Sequence, residues 1–186
     1  FKKLVLADWI GYFINPVWEK PFLYSPWIGL LALIGYAFQI YFDFAGYSDI
    51  AIGASHLFGF KIMENFNKPY LATNISQFWR RWHISLTDWI RDYLFFPLSQ
   101  ISSKKFWQIF CVPVIAMALC GLWHGPAWHF VFWGVWHGVG LCIYQLWNEK
   151  KRNNKNLNKA TKTPWFKYSS ILTNFSYVTI GWMWFK

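Results

Sequence analysis

The sequence predicts an all-α, polytopic transmembrane helical bundle with interfacial or re-entrant helices, and three observations carry that prediction. Aromatic residues make up 24% of the chain and charged residues only 14%, where an ordinary soluble domain carries about 25% charged residues. A water-facing surface has no place for so much ring area, whereas lipid tails accept apolar side chains and the headgroup region favours Trp and Tyr. Long uncharged runs also alternate with short basic stretches.

The spans follow in chain order. Crossing about 30 Å of hydrocarbon takes roughly 20 apolar residues. Residues 1–19 form a weaker amphipathic stretch, either a span end or an interfacial helix. Residues 21–42 carry no charge and supply the first span, which is expected to end at Asp43. In 75–93, Asn74 and Gln77 resemble a capping box, and Ile75, Phe78, Trp82, Leu86, Trp89 and Tyr93 recur at helical spacing. One amphipathic helix is predicted there, with Arg81, Asp88, Arg91 and Asp92 on its polar face and Pro97 at its end. Residues 106–147 contain no Asp, Glu, Lys or Arg, enough for two spans, with Gly125 and Pro126 as the turn between them. A further span begins in 169–185.

The net charge of +10 could suggest nucleic acid, but its distribution argues against that partner. Lys150, Lys151, Arg152, Lys155, Lys159, Lys162 and Lys167 fall in one polar stretch, 148–168, read as a cytoplasmic loop. Contact with anionic headgroups of the lipid bilayer is a secondary expectation. With Lys104 and Lys105 ahead of the double span, both flanks are cytoplasmic and the hairpin turn points outward. The chain begins at Phe1 without an initiator Met and ends at Lys186 inside an apolar run. It is therefore expected to be a piece of one longer membrane domain, lacking an N-terminal half and a C-terminal end.

Histidines are the leading candidates for chemistry, because an ionisable group at membrane depth is costly and faces a cavity or a partner. His124 precedes the Gly125-Pro126 turn, where the chain can open to a substrate, and imidazole can take a proton from a hydroxyl nucleophile. The bland alternative is a neutral imidazole hydrogen-bonded between helices. His83 suits boundary packing or headgroup contact as well as function. Arg80 and Arg81 could bind phosphate, or face solvent or lipid. His137 reads as a structural hydrogen bonder, His129 as interfacial and His56 as structural. Asp43 and Asp49 flank a glycine; they could orient a histidine, pair with an arginine, or mark a helix end. Cys111, Cys120 and Cys142 lie in apolar runs and read as packing residues, with neither a disulfide framework nor a metal site expected. The sequons at Asn74 and Asn174 lie near apolar helices and are discounted as glycosylation sites.

Six stretches in fixed order resemble the membrane-bound O-acyltransferase family, particularly its bacterial alginate O-acetyltransferase branch: FKKLVLAD (1–8), YFDFAGYSD (41–49), ENFNKPY (64–70), FWRRWHISL (78–86), WIRDYL (89–94) and LWHG (122–125). The resemblance implies that His124 is the main catalytic histidine and His83 the second signature histidine. It also implies a helical tunnel bringing an acyl donor from the cytoplasmic side to an acceptor on the outer side. Trp123, Asp43, Asp49, Arg80, Arg81 and Trp82 are then candidates for lining that channel. The expected donor is acetyl-CoA or another acyl thioester, with no bound cofactor. The acceptor is a cell-envelope or extracellular polysaccharide or peptidoglycan, and a periplasmic SGNH-hydrolase-like acetyltransferase is the expected partner. The expected location is the bacterial inner membrane, crossed several times.

Two other functions fit parts of this pattern. One is D-alanyl transfer to teichoic-acid-type acceptors from a carrier-protein thioester. The other is a transporter subunit using its histidines as a proton relay, although no internal repeat of the kind common in transporters is visible. Span counting puts His124 near the outer surface, while the resemblance implies the base of a buried funnel. A break at Pro113 or an unwound turn at Gly121 would reconcile the two.

Overall fold

The computed structural model describes residues 1–186 as helices joined by turns, without strands. Two compact units, 1–66 and 67–186, are each described by themselves.

In the first unit a wide helical turn, Lys2–Ala7, runs directly into α1 (Asp8–Glu19). After a short turn at Pro21–Leu23 comes α2 (Pro26–Leu57). Ile14 and Val17 of α1 pack with Ala32 of α2, flanked by Ile10, Trp18 and Tyr36. The first span does not end at Asp43. At 32 residues, α2 is about 48 Å long by its rise per residue, well beyond the roughly 30 Å of a bilayer's hydrocarbon core. Both acids inside it have cationic partners from the preceding helical turn: Lys3 Nζ lies 2.5 Å from Asp43 and Lys2 Nζ 2.7 Å from Asp49. Of the readings open for these acids, a histidine, an arginine or a helix end, none is met: the partners are lysines. The helix runs on through both carboxylates, whose pairs with the lysines are half-exposed.

The second unit opens with a short turn, Pro69–Leu71, and α3 (Ile75–Trp79). Asn74 caps α3 by accepting from the Gln77 N–H at 2.8 Å, while the Gln77 side chain accepts from the Thr73 N–H at 2.7 Å. The reciprocal bond thus reaches one residue farther back than in the usual capping box. The single amphipathic helix expected over 75–93 is broken. The backbone turns at Arg80–His83 and resumes as α4 (Ile84–Ile90). A continuous periodicity cannot reveal that break, because it comes from one residue, His83, in the left-handed region at φ 43°.

Pro97 does not end the helical path either. A widened turn, Arg91–Phe95, precedes it, and Pro97 lies in the first turn of α5 (Phe96–Gln100). A second widened turn, Trp107–Cys111, precedes Pro113 at the start of α6 (Val112–His124). Proline lacks an N–H and its ring crowds the preceding turn, so a locally wider helix accommodates it without a break.

The uncharged run forms the expected hairpin: α6, a turn through Gly125–Ala127, and α7 (Trp128–Asn153). The helix is continuous through both Pro113 and Gly121, so neither position is unwound. Gly121 instead belongs to a seam. A Cβ on Gly121 would meet the Phe130 carbonyl, one on Gly134 the Met117 carbonyl, and one on Gly138 the Val114 backbone. Small residues at these places let two helix backbones approach closely, as Gly-x-x-x-Gly pairs do in membranes.

The basic stretch 148–168, expected as a loop, is largely helical. It comprises the end of α7, a short α8 (Lys155–Ala160) capped by Asn154, and the first turn of α9 (Pro164–Gly181). Thr163 caps α9, which ends in a turn at Trp182–Trp184. The Asn174 amide donates to the Ala72 carbonyl at 3.2 Å, and the Tyr177 hydroxyl donates to the Trp136 carbonyl. Two segments are long and apolar enough to cross a membrane, Pro26–Leu57 and Trp107–His124.

Candidate functional site

His124 is the last residue of α6, immediately before the hairpin turn. Rings hold its imidazole: Trp123 at 4.9 Å between centroids, Phe185 at 5.0 Å and Trp133 at 5.2 Å, all edge to face. Phe130 lies farther away, at 6.3 Å. Three of these residues reach it from beyond the hairpin turn, and Phe185 comes from the far end of the chain. No sequence spacing announces such a cage.

His83 enters from the break between α3 and α4. Its left-handed backbone is uncommon for a residue with a Cβ and costs on the order of 1–2 kcal/mol. Such strain persists where the surrounding structure demands it, and it clusters at functional positions. The turn is tied down by its neighbours: the Thr87 N–H donates to the His83 carbonyl at 3.0 Å and the Thr87 hydroxyl to the Trp82 carbonyl at 3.2 Å. The His83 ring lies 6.4 Å from that of Trp123. Its pKa is lowered to about 4, chiefly by burial and secondarily by the charge His124 would carry. At neutral pH His83 is therefore a neutral imidazole, able to donate through one nitrogen and accept through the other.

An open cleft of about 510 Å³ is lined by His83, Leu86, Trp89, Leu119, Cys120 and Trp123 among others, with His124 the next residue after that wall. His83 and Trp123 share this wall. Arg80 is exposed, and Arg81 is half-buried with its carbonyl accepting from the Asn67 N–H at 3.0 Å. Trp82 is buried, 5.1 Å from Trp182 and 5.6 Å from Phe78. Arg80, Arg81 and Trp82 form the turn that presents His83 and do not line the cleft. Asp43 and Asp49 belong to the first unit, in their lysine pairs.

The remaining histidines separate cleanly. His137 is completely buried among Phe78, Trp79, Trp133 and Trp182, and neither ring nitrogen has a hydrogen-bond partner. The expected structural hydrogen bond is absent, and ring packing takes its place. The exposed His129 meets the Trp184 carbonyl through Nδ1 at 2.8 Å. His56 is exposed near the end of α2. Asn174 is 6% exposed and already engaged, which suits its being discounted as a glycosylation site.

Sequence reasoning missed Trp133, whose ring touches both His124 and His137. It also missed the glycine seam that sets the hairpin beneath it. The seam had a signal, Gly134-x-x-x-Gly138. Trp133 had none, being one of 15 tryptophans.

The model of MBOAT, the membrane-bound O-acyltransferase family, matches residues 14–178. A protein named "Probable alginate O-acetylase AlgI" from Azotobacter vinelandii is 45% identical over 144 residues, covering 76% of this chain and 28% of that protein. A "Peptidoglycan O-acetyltransferase" from Helicobacter pylori is 34% identical over 189 residues, covering 100% of this chain and 34% of that protein. A "Teichoic acid D-alanyltransferase" from Streptococcus thermophilus is 34% identical over 202 residues, covering 99% and 48%. The chain thus spans between 28% and 48% of the length of these relatives.

Proposed function

The chain belongs to the membrane-bound O-acyltransferase family, and from that premise we propose that the protein transfers an acetyl group to hydroxyls of a cell-envelope or extracellular polysaccharide. The observation that carries this reading is a neutral, strained His83 in the wall of an open, mostly apolar cleft, linked through the Trp123 ring of the same wall to the ring-caged His124. The 45% identity to an alginate O-acetylase supports the acetyl group and the polymer class.

His124 acts as the general base. It takes the proton of an acceptor hydroxyl as that oxygen attacks the carbonyl carbon of an acyl thioester. The tetrahedral intermediate collapses, the C–S bond breaks, and the imidazolium returns the proton to the departing thiolate. Such a base contributes about 10²–10⁴-fold. His83, neutral and on the cleft wall, donates a hydrogen bond to the carbonyl oxygen as it gains charge. Trp133, almost fully buried, walls one side of the His124 ring, while Trp123, which also meets that ring, stays exposed.

The proposed donor is acetyl-CoA or another cytoplasmic acyl thioester, and the proposed acceptor is a polysaccharide or peptidoglycan. A periplasmic SGNH-hydrolase-like protein completes delivery to the polymer. The chain is part of a single multi-pass domain in the bacterial inner membrane, with Trp123 beside the pair in the channel. The test is transfer by the full-length protein in proteoliposomes, with and without its periplasmic partner, given isotopically labelled acetyl-CoA on one side and polymer on the other. Label appearing as polymer ester supports the reading. Transfer only from a D-alanyl carrier-protein thioester would establish the D-alanyl alternative, which the 34% identity to a teichoic acid D-alanyltransferase supports less strongly.

A further inference from the structure

A second feature of residues 67–186 lies away from both histidines. Two adjoining cavities, of about 520 and 400 Å³, share Thr73, Asn74, Tyr144, Trp147, Phe166 and Ser170 in their walls. Together they form one groove between α7 and α9. Its two ends differ in chemistry. The mouth carries Lys151, Lys162 and Lys167 beside neutral donors such as Thr161 and Asn148, and no acidic residue lines it. The acid nearest in sequence, Glu149, is taken up by Lys105, and none of the three mouth lysines is in an ion pair. The other end is walled by Ile75, Ile143, Trp147, Phe166 and Tyr177.

Length narrows the occupant further. From Phe166 to Tyr177 along α9 the groove descends about 16 Å at the helical rise, close to one leaflet of a hydrocarbon core of about 30 Å. The basic mouth lies on the side where the lysine-rich stretch sits, and a membrane surface attracts such segments through anionic headgroups.

We propose that this groove holds an anionic phospholipid from the leaflet on the basic side, with its phosphate among Lys151, Lys162 and Lys167 and one acyl chain along Ile143 and Phe166. The fit is a match of charge and length: a fixed anion at the mouth, and an apolar chain reaching one leaflet deep. The proposal does not rest on the acyl-transfer reading, because none of these residues belongs to the histidine cleft.

Native mass spectrometry of the full-length protein in detergent tests it, with phosphatidylglycerol, phosphatidylcholine and inorganic phosphate as separate probes. The wild-type protein retains phosphatidylglycerol about tenfold more tightly than phosphatidylcholine, as a few lysines near an anionic headgroup should provide. Replacing the three lysines together (Lys151→Gln, Lys162→Gln, Lys167→Gln) removes that preference, and Ile143→Glu weakens both lipids. Equal retention of the two lipids by the wild-type protein overturns the proposal, and this comparison stands even where a variant fails to fold. Full displacement of phosphatidylglycerol by inorganic phosphate makes the mouth a simple anion site and overturns it as well. Displacement by acetyl-CoA at comparable concentration assigns the groove to the thioester and likewise overturns it.

Discussion

The indole of Trp133 meets the imidazole of His124 edge to face, at 5.2 Å and an interplanar angle of 89°. On its other side the same indole lies 5.0 Å from His137. One ring therefore separates a histidine at the helix end from one sealed in the core. Trp133 is 1% exposed and stacks on Trp182 at 5.8 Å, so it cannot swing away without opening the bundle. Trp133→Leu keeps an apolar side chain but removes that wall. The expected result is at least a tenfold fall in the turnover of the full-length enzyme, together with a lower melting temperature. Unchanged turnover would mean that the cage does not position His124.

The backbone and side chain of His83 make separable contributions. His83→Gly removes the left-handed strain and His83→Ala retains it, so the glycine variant should be about 1 kcal/mol the more stable. Both should lose acyl transfer to the same extent if the imidazole is what the reaction uses. Thermal unfolding in detergent and a transfer assay, run on the same preparations, check the two halves. A glycine variant less stable than the alanine variant would contradict the strain argument.

His137 has two buried nitrogens without partners. Removing both polar atoms while keeping a flat ring costs little when nothing is left unpaired. His137→Phe should therefore melt within a few degrees of the wild-type protein and keep most of its transfer activity. A large loss of activity at unchanged stability would instead assign His137 a proton-carrying role.

The α6–α7 seam leaves no room for a Cβ at Gly134, where the Met117 backbone would have to move. Gly134→Ala should destabilise the protein by about 1–3 kcal/mol, the usual cost of overpacking. Gly29, with open space around it, should accept alanine without loss. Melting temperatures of the two variants, measured side by side, distinguish crowding from a general intolerance of glycine replacement.

The hairpin and its turn were legible because charge and proline act locally: no charged residue interrupts 106–147, and Gly125-Pro126 marks the bend. The extent of α2 was not, because Asp43 and Asp49 look like a helix end until Lys3 and Lys2 arrive from the preceding helical turn. The break at His83 was hidden for a related reason. Apolar residues keep helical spacing straight through it, while Trp82 packs against Phe78 and Trp182 and hydrogen bonds from Thr87 and Asn67 hold the turn. At the candidate site, motif and residue type single out His124 and His83 as candidates. The rings that cage His124 come from three separate segments, and only the fold brings them together.

The most direct test of the account is a single substitution in the full-length protein, His124→Gln, which keeps a polar side chain but cannot accept the proton. Ester acetate on the cell-envelope polymer, measured by mass spectrometry at equal membrane levels of protein, should fall by about 10²–10⁴-fold. Normal acetylation by that variant would contradict the assignment of His124 as the base.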